Sequence, residues 1–162
     1  MRPLQAEYIV AVARATLDAA DFCFLTTQGE FEPTSTRLMQ HFKPDADLTV
    51  WFGTSLTSRK VREIQRNPRV NVACLDPTRR AYIVLVGTAT IEERAEQWRR
   101  YWREDWHTFW PEGPSGRDYV PLRFTCERVE VLSFAASIAP APYGLRPAVA
   151  VRHGDGWQLA VG

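Results

Sequence analysis

Paired cysteines are absent from this sequence. Its three thiols, Cys23, Cys74 and Cys126, are odd in number and far apart, and none falls in a CxxC spacing, so neither a disulfide framework nor a thiolate metal site has support. Each sits in an apolar run that reads as a strand, which makes it a buried small hydrophobe and suits a reducing compartment. Histidine is equally sparse: His41, His107 and His153 are scattered, with no HExxH, and no metal is expected. An excess of one charge is missing too. Twenty Lys and Arg against 19 Asp and Glu give a net charge of +1, which leaves no broad basic face for nucleic acid. Long apolar runs are lacking: the stretch Tyr8 to Ala13 is interrupted by Arg14 and Asp18, so no membrane segment is expected and the location reads as cytoplasmic. Finally, there is no GxSxG, no carboxylate pair in an obvious acid/base role and no cysteine in a cationic setting, so no catalytic side chain is assigned.

What is present is a chain of 162 residues, 45% hydrophobic and 24% charged, enough to bury about 70% of its unfolded surface in one domain spanning 1–162. Residues 3 to 19 place Leu4, Tyr8, Val12 and Ala15 at helical spacing and predict an amphipathic helix with that stripe on the core. The period then changes to two. Phe22 to Thr27, Thr34 to Phe42, Leu48 to Gly53, Arg69 to Leu75 and Ala81 to Ile91 read as strands, punctuated by Gln28-Gly29-Glu30, Lys43-Pro44-Asp45 and Asp76-Pro77-Thr78. Their short links imply an antiparallel meander that curls into a barrel.

A short helix from about Ser58 to Asn67-Pro68 has Val61 and Ile64 as inward positions. A longer one, Glu92 to Phe109, carries Trp98, Tyr101, Trp102 and Trp106, with Glu92-Glu93 and Glu104-Asp105 as solvated charge and Glu96–Arg100 as an i,i+4 pair. Strands follow at Pro121 to Phe124 and Val129 to Phe134. A proline-rich passage, Ala139 to Pro147, precedes a closing hairpin at about 148–161 that turns at Gly154-Asp155-Gly156.

The stretch Gly53-Thr-Ser-Leu-Thr-Ser58-Arg59-Lys60 places hydroxyls and two cations where a strand gives way to a helix. Unpaired N–H groups and the helix dipole favour an anion there; Ser58 can cap or donate, Arg59 can grip two phosphate oxygens and Lys60 adds a point charge. Both a phosphate cradle and a solvated helix cap fit this pattern, whereas a GxxxxGK[ST] loop does not. In the preceding strand Arg37 shares a face with Ser35, Met39 and His41. Its guanidinium requires an anionic partner, either a ligand or a carboxylate such as Asp45 or Asp47.

Taken together, Ser35-Thr-Arg37-Leu38-Met39, Leu48-Thr-Val-Trp-Phe-Gly-Thr54, Ser58-Arg59-Lys60, Ile64, Asn67-Pro68-Arg69-Val70 and Val86-Gly87-Thr88-Ala89 resemble, in order and spacing, the FMN-binding split barrels related to pyridoxamine 5'-phosphate oxidase. The tryptophan-rich segment with Trp110-Pro-Glu-Gly-Pro looks like the general-stress-protein branch. The resemblance, over roughly residues 5 to 134, implies a mainly β fold with flanking helices, an antiparallel split β-barrel of FMN-binding type. It implies a flavoprotein oxidoreductase of a small molecule, with NAD(P)H as a possible reductant, or a non-catalytic flavin-binding module. A split barrel using F420 or haem is a third reading.

By position, Arg37 would hold the FMN phosphate or ribityl region. Leu38 and Met39 would line the isoalloxazine, Thr54 would hydrogen-bond nearby, and Ser58, Arg59 and Lys60 would grip the phosphate. The flavin would lie between two subunits of a homodimer, with Tyr82 and the Trp106/Trp110 segment as candidates for the second wall. A tryptophan stripe at helical spacing is more often helix-to-barrel packing or dimer interface than a stacking platform. Two departures stand out: Phe42 occupies the position where the vitamin-oxidising members have a lysine, and the Arg-x-His pair that grips the substrate there has no counterpart.

Overall fold

In the computed structural model, which describes residues 4–138 and 146–160, eight antiparallel strands share one sheet. Strands β1 (Phe22–Gln28) and β2 (Thr34–Gln40) form a hairpin, and β4 (Arg69–Asp76), β5 (Ala81–Ile91) and β6 (Tyr119–Ser133) run up and down beside β1. The expected meander is broken by β3 (Val50–Ser55), which pairs with β6 and not with its sequence neighbours. The ring β2-β1-β4-β5-β6-β3 is then joined between β2 and β3 only by the isolated bridge His41–Phe52, so the barrel is split. The strand expected to run to Phe42 ends as a ladder at Gln40 for that reason.

The sheet ends with the predicted hairpin, β7 (Ala148–His153) and β8 (Gly156–Ala160), with Gly154 at φ 58° in the turn. Most of the proline-rich passage, residues 139–145, lies outside the described residues, as do Pro3 and Val161 of the predicted first helix and last strand.

Two strands were expected where β6 runs unbroken, and the cause is a bulge. Val86 faces Arg128 while the next residue, Gly87, faces Cys126, leaving Glu127 unpaired. The inward set switches from Leu122, Phe124 and Cys126 to Val129 and Val131, so the period-two pattern changes phase and reads as two segments. Gly87 makes this possible, because a Cβ there would overlap the carbonyl of Thr125.

Helix α1 (Ala6–Ala19) packs on the sheet through Ala6, Ile9, Val10, Ala13 and Leu17. The stripe expected from spacing is the wrong one: Leu4 and Tyr8 are exposed, and the Tyr8 hydroxyl donates to the Ala136 carbonyl. Both stripes have helical spacing, and the alanines decide between them because they let the helix lie close to the sheet. Helix α2 (Arg59–Arg66) closes the end of the barrel where β1, β2 and β3 present Thr27, Ser35 and Thr54, with Val61 and Ile64 buried as expected.

The long tryptophan helix does not form. Helix α3 spans only Ala95–Arg100, and separate 3₁₀ turns follow at Glu104–Thr108 and Gly113–Ser115. Tyr101 stacks on Trp51 at 4.1 Å, Trp106 fills the space over Gly53, and Trp102 meets both Trp106 and Tyr119 edge-on. In one continuous helix Tyr101 and Trp106 would point about 140° apart. Both reach the outer face of β3 because the chain is extended at Arg103. The expected solvated Glu92 is buried and held by the backbone N–H and guanidinium of Arg94, and no Glu96–Arg100 bridge occurs among the described residues.

Candidate functional site

Arg37 projects from the inner face of β2 toward the end of the barrel that α2 closes. The anion its burial requires is Glu63 of α2, at 2.9 Å, with the Arg37 side chain 17% exposed and that of Glu63 fully buried. Asp45 and Asp47, the expected carboxylate partners, play no part; Asp47 caps Thr49 by its side chain and accepts Arg152 at its carbonyl.

The guanidinium is extensively bonded. One terminal nitrogen donates to Thr27 Oγ1 at 2.7 Å and to the carbonyls of Ser35 and Leu25; the other donates to Ser35 Oγ at 3.0 Å and to Glu63 Oε2. Thr27 also donates to Glu63 Oε2 at 2.5 Å. Burial acts to raise the Glu63 carboxyl, but the hydrogen bonds from Thr27 and Arg37 and the charges of Arg37 and Arg59 bring it below its ordinary range.

Above this floor stand Arg59 and Lys60, in the first turn of α2. Arg59 is 56% exposed, donates to Ser35 Oγ at 2.6 Å and lies 3.5 Å from Glu63 Oε1 and 3.8 Å from Glu32. Among the described residues Lys60 Nζ makes a single bond, to Thr54 Oγ1 at 2.9 Å. Burial and then the neighbouring Arg37 lower the Lys60 pKa, Glu63 acts against this, and Arg59 lowers it further. Ser58 is the backbone N-cap but makes no side-chain cap; its hydroxyl sits 3.4 Å from that of Thr54.

Three cations, Arg37, Arg59 and Lys60, stand around the buried Glu63, and with Glu32 beside Arg59 they keep one positive charge in excess, which favours an anion. Among the described residues Lys60 has two N–H donors without protein acceptors, Arg59 is more than half exposed, and both belong to the first turn of α2, whose leading N–H groups have no partner within the helix. A phosphate monoester fits these donors.

The remaining predicted residues do not all converge. Met39 is buried in the core on the Arg37 face, whereas Leu38, on the opposite face, is 57% exposed. The two side chains therefore cannot line the same surface. Tyr82 is half-buried on the outer face of β5, between Leu75 and Leu132 and about 17 Å along the strand from Gly87. Trp110 belongs to the aromatic cluster over β3, where its indole N–H donates to Ser55 Oγ. Trp106 is buried there, so the tryptophan segment is a packing surface. Phe42 joins it, edge-on to Tyr101 and Trp106 beneath the Arg103 guanidinium.

Sequence reading passed over Glu63, Thr27 and Ser35 as members of the network. Glu63 carried a usable signal: it lies four residues after Arg59 and beside the inward Ile64. A cleft of about 630 Å³ lies elsewhere, between Ile64, Pro68, Ile91, Trp98 and Tyr119, and neither Arg37, Arg59 nor Lys60 lines it. Void and anion chemistry are thus separate, and the donor set is the better guide to function.

The buried carboxylates give a pH dependence. Hydrogen bonding to Arg94 holds the Glu92 carboxyl down at about 2, and Glu63 is lowered as well. Both folded values lie below the unfolded ones, so the stabilisation is complete above roughly pH 5 and is lost as pH falls toward 2. The urea midpoint is expected to drop from pH 7 to pH 3, less so in Glu92→Gln; an unchanged midpoint would refute this.

A family profile described as "Pyridoxamine 5'-phosphate oxidase like" matches residues 10–139. Comparison with curated protein sequences finds no match. Among solved structures, a protein related to general stress protein 26 from Clostridium acetobutylicum superposes with a TM-score of 0.70 at 22% identity, over 80% of this chain and 91% of that one. A pyridoxamine 5'-phosphate oxidase-related, FMN-binding protein from Nostoc punctiforme gives 0.62 at 15% identity, over 94% of both chains. A haem-binding protein from Mycobacterium smegmatis gives 0.61 at 17% identity, over 82% of this chain and 55% of that one. These likenesses establish the split-barrel fold.

Proposed function

This chain belongs to the pyridoxamine 5'-phosphate oxidase-like family, and from that premise we propose that it is a cytoplasmic FMN-binding flavoprotein, an oxidoreductase of a small molecule. The observation that carries the reading is the cation cluster at the start of α2, with unspent donors on Lys60, a half-exposed Arg59 beside it and a net positive charge suited to an anion. Arg59, Lys60, Thr54 and Ser58 would hold the phosphate end. Bound FMN would supply hydride and electron transfer, with NAD(P)H as reductant. The chain's own part is to bind and orient. The three buried free thiols accord with a reducing compartment, and no described helix is long and apolar enough to cross a membrane.

The reading includes a homodimer with the flavin at the interface. The outer face of β2-β1-β4-β5 exposes Phe22, Phe24, Leu38 and Leu75 beside Tyr82 and Val84, with Phe24 directly opposite both Leu38 and Ala73. So broad an apolar face is unusual on a monomer, and a second copy would cover it. Leu38 and Tyr82 would then meet the flavin from this face. Sedimentation velocity at micromolar concentration is expected to give twice the 18.5 kDa chain mass; a monomer would count against this assembly.

The decisive experiment identifies the chromophore released from purified protein, then mixes the loaded protein with NADH or NADPH without oxygen. FMN release and bleaching of the visible band within catalytic times support the enzyme. An unchanged band across several reductants favours a flavin-binding module, a reading helped by the only carboxylate at the floor of the cluster being ion-paired and fully buried. Released haem or F420 replaces the flavin reading.

A further inference from the structure

We propose that the cleft between α2, α3 and the adjoining ends of β5 and β6 is a second ligand site, which takes a small aromatic amino acid as its zwitterion. It holds about 630 Å³, within the range of small-molecule pockets. The site is independent of the flavin reading, because none of Arg37, Arg59 and Lys60 lines it. Its apolar wall comes from Leu56, Ile64, Pro68, Ile91 and Val120, with the Trp98 indole beside them.

Trp98 is suited to hold a ring. Its indole N–H donates to the Glu92 carbonyl at 2.8 Å, which pins the side chain while leaving it only partly buried at the cleft. Tyr119, the other aromatic residue of the lining, is already engaged by Trp102, Trp106 and Trp110, whereas among the described residues no ring stacks on Trp98 or meets it edge-on. A pinned indole with no aromatic neighbour offers an incoming ring a contact at little ordering cost.

The charges select the head group. Glu92 is buried and both of its oxygens accept from Arg94, so it has little to give a ligand. Glu93 and Arg117 are exposed and line the same cleft, and among the described residues neither side chain has a hydrogen-bond or ion-pair partner. The β5–β6 register pairs Ile91 with Leu122, and the Glu92 N–H donates to the Pro121 carbonyl. Continued by one residue, this sets Glu93 beside Val120, three residues and about 10 Å along the chain from Arg117. Both side chains are long enough to reach the space between them, yet they do not bridge it. A ligand with an ammonium and a carboxylate on one carbon would join them, the ammonium donating to Glu93 and the carboxylate accepting from the guanidinium of Arg117. Gln65 and Thr90, the other polar residues of the lining, are uncharged. With Glu92 neutralised by Arg94, the cleft is neutral as a whole, as the zwitterion is.

Phenylalanine is compared with 3-phenylpropionate, which lacks the ammonium, and with phenethylamine, which lacks the carboxylate. Each is titrated into the purified protein by calorimetry, and the Trp98 indole N–H is followed in proton–nitrogen correlation spectra. Phenylalanine is expected to move that signal saturably. Both analogues are expected to bind about tenfold more weakly, since each leaves one charge without a partner. Arg117→Gln should weaken phenylalanine by about tenfold and leave phenethylamine unchanged, whereas Glu93→Gln should weaken phenylalanine similarly and leave 3-phenylpropionate unchanged. Both positions are exposed, so the variants are expected to match the wild type in circular dichroism. A Trp98 signal that millimolar phenylalanine does not move, equal affinity for the three compounds, or substitutions without effect would each overturn the site. A protein that takes up no FMN yet binds phenylalanine in this pattern would overturn the flavin reading alone.

Discussion

Arg59→Ala combined with Lys60→Ala is expected to give a folded but colourless protein. Both side chains leave from the first turn of α2 on its open side; Arg59 is more than half exposed, and among the described residues Lys60 makes only one bond. Their truncation leaves Val61, Ile64 and the Arg37–Glu63 pair in place. A charge-assisted hydrogen bond is worth about 1.5–3 kcal/mol, so losing both grips weakens FMN by roughly 10²–10⁴-fold. The visible flavin band of the purified variant and an FMN titration measure this, with circular dichroism as the check on folding. Colour at wild-type stoichiometry would show that the phosphate is held elsewhere.

Trp106→Ala is expected to be the most destabilising simple truncation in the outer aromatic layer. The ring is 5% exposed and lies over Gly53, with Phe42, Trp110, Trp102 and Tyr119 at centroid distances of 5.5, 5.7, 6.1 and 6.2 Å. Its indole N–H donates to Gln40 Oε1. Emptying such a site costs about 3–5 kcal/mol, from lost burial and from a cavity its rigid neighbours cannot close. In a chain of this size that lowers Tm by roughly 6–20 °C.

Gly53→Ala attacks the same contact from the other side, since its Cβ would overlap the Trp106 ring. The two substitutions should therefore couple, with Gly53→Ala costing less once Trp106 is gone. Thermal melts of the three variants test this; additive losses would mean that the ring and the glycine are independent.

How far the sequence carried the structure differs by element. The strands and the Ser58 boundary of α2 were legible because each depends on nearby residues: alternation, turn chemistry, and proline after Asn67. The Arg59–Lys60 pair could be recognised for the same reason. Elements settled by distant partners were not legible. The pairing of β3 with β6 is a choice among strands that look alike, and the break after Arg100 is imposed by Trp51 and Gly53, some fifty residues earlier. Glu63 was missed because a glutamate on a short, highly charged helix reads as solvated until Arg37 and Thr27 are folded against it.

The single bridge between His41 and Phe52 has a further meaning. In a fully zipped cylinder β2 and β3 would stay hydrogen-bonded past this point, with no gap between them at the end where Arg37 and Glu63 meet. By letting two adjacent ribbons part after one rung, the fold forgoes a few backbone pairings and gains a wedge-shaped opening, into which a helix carrying four charged side chains, Arg59, Lys60, Arg62 and Glu63, in its first five residues can be set. The unzipped seam is thus what makes room for the charged cluster, and a continuous ladder in its place would close that opening.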